Sequence, residues 1–124
     1  LFFRTVYREH WEHLKNTGEL LGSGECTTSP IQAFSESYDG ALVQFKVERG
    51  TINRLEEIGI AADDNSIVLL RHPTLKPSTK QWNQKYARFK KEGNQVNIQL
   101  GYGEALKRFN EGMLEYKFIK EIKK

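Results

Sequence analysis

Two histidines, His10 and His13, stand three residues apart in a stretch that also carries Arg8. Cleavage of RNA by its own 2′-hydroxyl needs a base, an acid and a cation over the phosphate, and His, Arg, Lys and Tyr side chains can fill all three roles. A metal-independent ribonuclease site built from His10, His13 and Arg8, with Arg or Tyr partners, is one reading of this stretch. Two boundary histidines on an amphipathic helix is the other. The same spacing could chelate a metal, but the one cysteine, Cys26, is remote in sequence and no Cys pair supports zinc. No metal is expected. A second group, Lys85, Arg88 and Lys91 beside Trp82, Tyr86 and Phe89, would make a basic strip able to follow a nucleic-acid backbone if the segment is a helix. Otherwise it is a solvated outer face. Gly93, Gly101 and Gly103 bracket a strand bearing Asn and Gln. They could admit a ligand's phosphate in a non-catalytic binding module, or form simple turns.

The elements that must position these groups follow from periodicity. Leu1–Val6 reads as a short buried strand. Tyr7–Asn16 reads as a helix with Tyr7, Trp11 and Leu14 on one stripe and Gly18 placed to end it. Ser29-Pro30-Ile31-Gln32 carries the signals of a helix start, with Ser29 as cap, Pro30 in the first turn and Gln32 closing a capping box. Ile31, Phe34 and Tyr38 then share a face, and Asp39-Gly40 is a turn. Ala41–Val47 alternates as a strand. Ile52–Ile58 reads as a short helix stopped by Gly59, Ser66–Leu70 as a strand and His72–Lys80, with two prolines, as a loop. Lys80–Lys91 reads as a helix, Gln95–Leu100 as a strand, Glu104–Asn110 as a helix and Met113–Ile122 as a lysine-protected edge strand. Helices and strands alternate, but several connections are too short for regular crossovers. This predicts an α+β fold: a small mixed or antiparallel sheet flanked by short helices.

The order of landmarks carries a resemblance. Phe3-Arg4-Thr5 puts an arginine on the first strand. A helix and Thr17-Gly18-Glu19-Leu20 follow. Cys26-Thr27-Thr28-Ser29-Pro30 then runs into a helix, and the strand Ala41–Val47 leads to Glu48-Arg49-Gly50-Thr51. Over residues 3–51 this resembles the ADP-ribosyltransferase-like domains of the arginine–serine–glutamate type, which implies that family's split sheet. The size also suits the C-terminal toxin domains of bacterial polymorphic and contact-dependent growth inhibition systems. The resemblance implies NAD as co-substrate, bound by Arg4, Thr27, Thr28 and Ser29. Arg4 would grip the diphosphate, for which a planar fork of donors is suited. Ser29 would help orient a catalytic carboxylate that stabilises the oxocarbenium-like charge of the breaking glycosidic bond. The family carries that glutamate at the start of a late strand, where this chain has Gln95. A glutamine supplies no negative charge, so Glu92 or Glu104, both nearby in sequence, would take the role. A cognate immunity protein is implied as partner. So is delivery, secreted or at the cell surface within a larger protein, into a target cell's cytoplasm.

Composition bounds these readings. A chain of 124 residues with 38% hydrophobic residues is expected to form one domain, residues 1–124, with one core. The start at Leu1, without methionine, is expected to mark a cut from a longer protein. No apolar run approaches the ~20 residues that span a bilayer, and no membrane partner is expected. A single cysteine allows no internal disulfide and suits a reducing compartment. The formal charge of +3 permits a nucleic-acid or acidic-protein partner without demanding one.

Overall fold

Two sheets meet edge to edge, and the seam between them organises the molecule. The computed structural model describes residues 1–62, 66–78 and 82–124. The first sheet is antiparallel, with β1 (Phe2–Val6), β3 (Gly40–Val47) and β8 (Met113–Ile122) in the order β1-β3-β8. The second contains β2 (Thr27–Thr28), β4 (Gly59–Ala62), β5 (Lys76–Ser78), β6 (Ala87–Glu92) and β7 (Gln95–Gln99) in the order β2-β7-β6-β4-β5. It is mixed: β4 runs parallel to β5 and β6, while β7 is antiparallel to β2 and β6. Phe3 and Ser29 exchange both backbone hydrogen bonds, at 2.7 and 3.0 Å, and so stitch β1 to the end of β2. The expected α+β class is found, as a split mixed sheet flanked by short helices.

The helices are α1 (Arg8–Thr17), α2 (Gln32–Ser35), α3 (Thr51–Glu56), α4 (Ser66–Arg71) and α5 (Glu104–Gly112). Gly18 ends α1 as its position implies, adopting φ 76° and donating its N–H to the Leu14 carbonyl. The stripe on α1 reaches β8, where Trp11 packs on Tyr116 and Phe118. Phe45 and Phe109 meet edge to face at 5.7 Å in the core, and Phe2 closes on Phe109 from outside. Each fully buried aromatic or leucine of this cluster contributes about 1.5–3 kcal/mol by leaving water.

Five expectations are corrected. Ser66–Leu70 is helical, within α4, and not a strand. Its apolar run is short enough to serve either geometry, and only one side is covered: Val68 is buried while Leu70 is 78% exposed. The helix read over Lys80–Lys91 is β6 from Ala87 onward, with Trp82–Tyr86 forming the approach; Lys80 and Gln81 lie outside the described residues. Ala87 and Phe89 are fully buried and alternate with half-buried Arg88 and Lys90, which is the period of a strand. The loop read over His72–Lys80 contains β5, its last two residues lying outside the described ones, and Gly59, taken as a helix stop, opens β4. Ser29 does not cap a helix: its Oγ accepts from the Ile31 N–H at 3.1 Å, α2 starts at Gln32, and Gln32 donates to Glu36 rather than closing a capping box.

Candidate functional site

A cavity of about 470 Å³ opens beside the seam. One wall is β1, which contributes Arg4 and Thr5; another is the loop Ser23–Cys26 running into Thr27. Phe34 and Tyr38 close the side facing α2, with their rings 5.9 Å apart.

The loop is held from three directions. Cys26 adopts φ 49°, which costs a residue with a side chain about 1–2 kcal/mol. Its N–H donates to Ser23 Oγ at 3.1 Å, and its carbonyl accepts from the Leu100 N–H at 3.0 Å. The Glu25 carbonyl accepts from the Gly101 N–H at 3.0 Å. Gly101 is required there: its φ is +64° and an added Cβ would clash with the Gln84 carbonyl oxygen. The Cys26 thiol is buried, and burial pushes its pKa up despite the nearby Arg4 charge, so it stays a neutral, unreactive thiol.

Arg4 is fixed by neutral groups. Its Nη1 donates to the Thr27 carbonyl at 3.1 Å and its Nη2 to Ser23 Oγ at 3.0 Å. Its Nε is shielded and has no hydrogen-bond partner, and no carboxylate among the described residues forms an ion pair with it. The guanidinium charge is therefore uncompensated at the wall of a cavity, an arrangement that favours an anion. Two carboxylates line the same cavity, Asp39 and Glu25. Asp39 is committed to the Arg8 guanidinium, at 3.7 Å, and to the Lys124 N–H. Glu25 is held by a neutral amide, from Gln99 Nε2 at 3.2 Å. The Tyr38 hydroxyl is pushed up in pKa, by burial first and then by the Glu92 and Glu25 charges, with Arg4 opposing.

The other residues singled out in the sequence separate into those near this cavity and those apart from it. Thr27 lines it, whereas Thr28 turns to the opposite face and donates to the Ile98 carbonyl at 2.9 Å. Ser29 lies at the stitch to Phe3 and is not among the lining residues. Glu92 ends β6 opposite Gln95, accepts from Asn97 Nδ2 at 3.3 Å, and its field reaches Tyr38. Glu104 opens α5 and pairs with Arg108 at 3.2 Å, outside the lining. His10 packs edge to face on Tyr7, a lining residue, and its pKa is lowered by burial and then by Arg4. His13 faces Glu19 at 3.6 Å, and Arg8 pairs with Asp39 and Glu121. The basic strip does not assemble. Lys85 is exposed in the turn before β6, Arg88 lies over the Trp82 ring, and Lys91 falls on the opposite face of β6 from Arg88. Among the described residues no group of three or more His, Cys, Asp or Glu side chains could hold a metal, and no helix is long and apolar enough to cross a membrane.

Ser23, Glu25 and Gln99 complete the site without having been singled out in the sequence, and Tyr38, read there as part of an apolar face, lines the cavity. The available signal was on β7, where Gln95, Asn97 and Gln99 alternate with the apolar Val96, Ile98 and Leu100. A strand with one apolar face and a second, buried amide face is lined up to bind something polar. The arrangement can bind an anion at Arg4 and set a carboxylate beside it.

Compared with known protein families, the chain matches the family model described as the PT3 toxin domain over residues 1–118. No curated protein matches it.

Proposed function

The chain belongs to the PT3 toxin domain family, and from that premise we propose that it is an antibacterial effector that transfers ADP-ribose from NAD to an intracellular target. The observation that carries this reading is Arg4: an arginine that among the described residues is held by neutral acceptors and ion-paired with no carboxylate, at the wall of a cavity large enough for a small-molecule ligand. A diphosphate is among the anions that such a planar donor fork suits. Phe34 and Tyr38 offer flat surfaces opposite, and Thr27 offers a hydroxyl at the rim.

In the proposed reaction the bond between the ribose carbon and the nicotinamide nitrogen breaks, and its electron pair goes to that nitrogen to release neutral nicotinamide. A heteroatom of the target forms the new bond to the same carbon and gives up its proton to solvent or a carboxylate. A negative charge beside the ribose lowers the barrier because positive charge builds there in the transition state. A toxin of this kind needs an immunity protein in the producing cell, and a partner that covers the Arg4 cavity would serve. Delivery would be within a larger secreted or surface protein, with action in the target cytoplasm.

The test is incubation of the purified domain with adenylate-labelled NAD and bacterial lysate. Transfer of label to a lysate component with release of nicotinamide is expected. A domain that arrests growth yet neither consumes NAD nor transfers label would sink the proposal. Rapid loss of intact tRNA or rRNA in the same assay would point instead to the His10 and His13 ribonuclease reading, and no growth arrest at all to a binding module.

A further inference from the structure

Gln99 is fully buried, yet it makes three polar contacts that link one wall of the cavity to the centre of the second sheet. Thr27, Gln99 and Arg88 stand directly opposite one another across β2, β7 and β6, so their side chains share a face. Arg88 Nε is a donor only, and it meets Gln99 Oε1 at 2.6 Å. That contact fixes which end of the amide faces β6. The Nε2 end must then face the other way, where it donates to Glu25 Oε2 at 3.2 Å and Thr27 Oγ1 at 3.4 Å. Arg88 is itself steadied over the Trp82 ring, 5.1 Å from its centroid.

Resting on the transferase reading, we propose that Glu25 is the carboxylate that faces the NAD ribose and that Gln99 is the residue that positions it. The other carboxylates are spoken for. Glu104 is paired with Arg108, and Asp39 with Arg8. Glu92 accepts from Asn97 and does not line the cavity. Glu25 lines it together with Arg4, and no cation among the described residues neutralises it. Its backbone is pinned to Gly101 and its side chain to Gln99, so the charge is held in place before substrate arrives. This puts the negative charge on the loop before β2, beside the Gln99 end of β7, whereas Gln95 begins that strand at its far end.

The informative variant is Gln99→Glu. It keeps an acceptor for Arg88, and so keeps the fold, while replacing the donor to Glu25 with a second negative charge. Glu25→Gln is expected to lower kcat for NAD consumption about 100-fold, the scale of one preorganised electrostatic group, with KM little changed because Arg4 holds the diphosphate. Gln99→Glu is expected to lower kcat about 10-fold with KM and melting temperature close to wild type. The double variant should be no slower than Glu25→Gln alone, because the amide acts only through that carboxylate. Growth arrest is scored on the same variants. A Glu25→Gln domain with wild-type kcat or wild-type arrest overturns the proposal, as does an additive double variant. A wild-type domain that arrests growth without consuming NAD overturns the transferase reading instead. In that event the growth-arrest arm still decides whether Glu25 and Gln99 act as one unit.

Discussion

Arg4 and Arg108 occupy two regions of the molecule that treat a half-buried guanidinium in opposite ways. Arg108, on α5, donates to the Arg54 carbonyl at 2.6 Å and is flanked by Glu57 at 2.9 Å and Glu104 at 3.2 Å. Its charge is cancelled by two carboxylates, and it fastens α5 to the end of α3. Arg4, on β1, has neutral acceptors and an unpartnered Nε instead. Burying a cation without a counter-ion is costly, so an arginine that is locally satisfied reads as a clamp. One left uncompensated beside a cavity reads as half of a contact that a ligand completes. The histidines divide along the same line. The pKa of His10 is lowered by burial and then by the Arg4 charge, whereas His13, three residues on, faces Glu19 away from the cavity lining.

The comparison breaks most visibly at Arg4. Arg4→Ala should lower kcat/KM for NAD by about 100-fold or more, the loss of a charge-assisted grip of ~3 kcal/mol, and should abolish growth arrest. An Arg4→Ala domain with full NAD consumption would remove the distinction between the two arginines. Arg108→Ala should do the reverse. It strands the Arg54 carbonyl and separates α5 from α3, for a loss of ~1–2 kcal/mol in urea unfolding, while toxicity is retained at permissive temperature. A stable but inactive Arg108→Ala domain would make the clamp assignment untenable.

The smallest effect is in pH. Burial and then Arg4 hold the His10 pKa below the ordinary 6.5, with Glu9 opposing. Below pH 6.5 the unfolded chain therefore takes up a proton at this ring before the folded chain does. Its contribution to stability is whole above pH 6.5 and is lost as pH falls through the lowered value. Thermal melts across this range should show a decline that His10→Gln flattens. Arg4→Ala should flatten it in part, since it removes one cause of the shift. An unchanged slope in both variants would show that His10 does not feel the cavity charge.

Local pattern was enough wherever one segment carries its own reason for its shape. The α1 stripe from Trp11 to Leu14 and its Gly18 stop, the alternation of β3, and the β8 edge are all legible because a helix or strand period recurs within a few residues. Arg4 and Thr27 could be matched for the same reason, through motif order along the chain, and the structure brings both to one cavity. It failed at α4 and β6. Ile67–Leu70 and Trp82–Phe89 fit either period, and the decision came from what lies across from them, β4 and β7 in the case of β6.

By itself, then, the sequence determined the class of fold and most of its elements, and it singled out an arginine that lies at the wall of a cavity. Tertiary structure alone decided which carboxylates, Glu25 and Asp39, line the same cavity as that arginine. Glu25 and Gln99 are separated by 74 residues and meet only because β2 pairs with β7. Whether an arginine is paired with a carboxylate is equally non-local: Arg108 finds Glu57 51 residues away, and among the described residues Arg4 finds the Ser23 hydroxyl and the Thr27 carbonyl. Charge compensation weakens with distance in space, and no spacing along the chain encodes that distance.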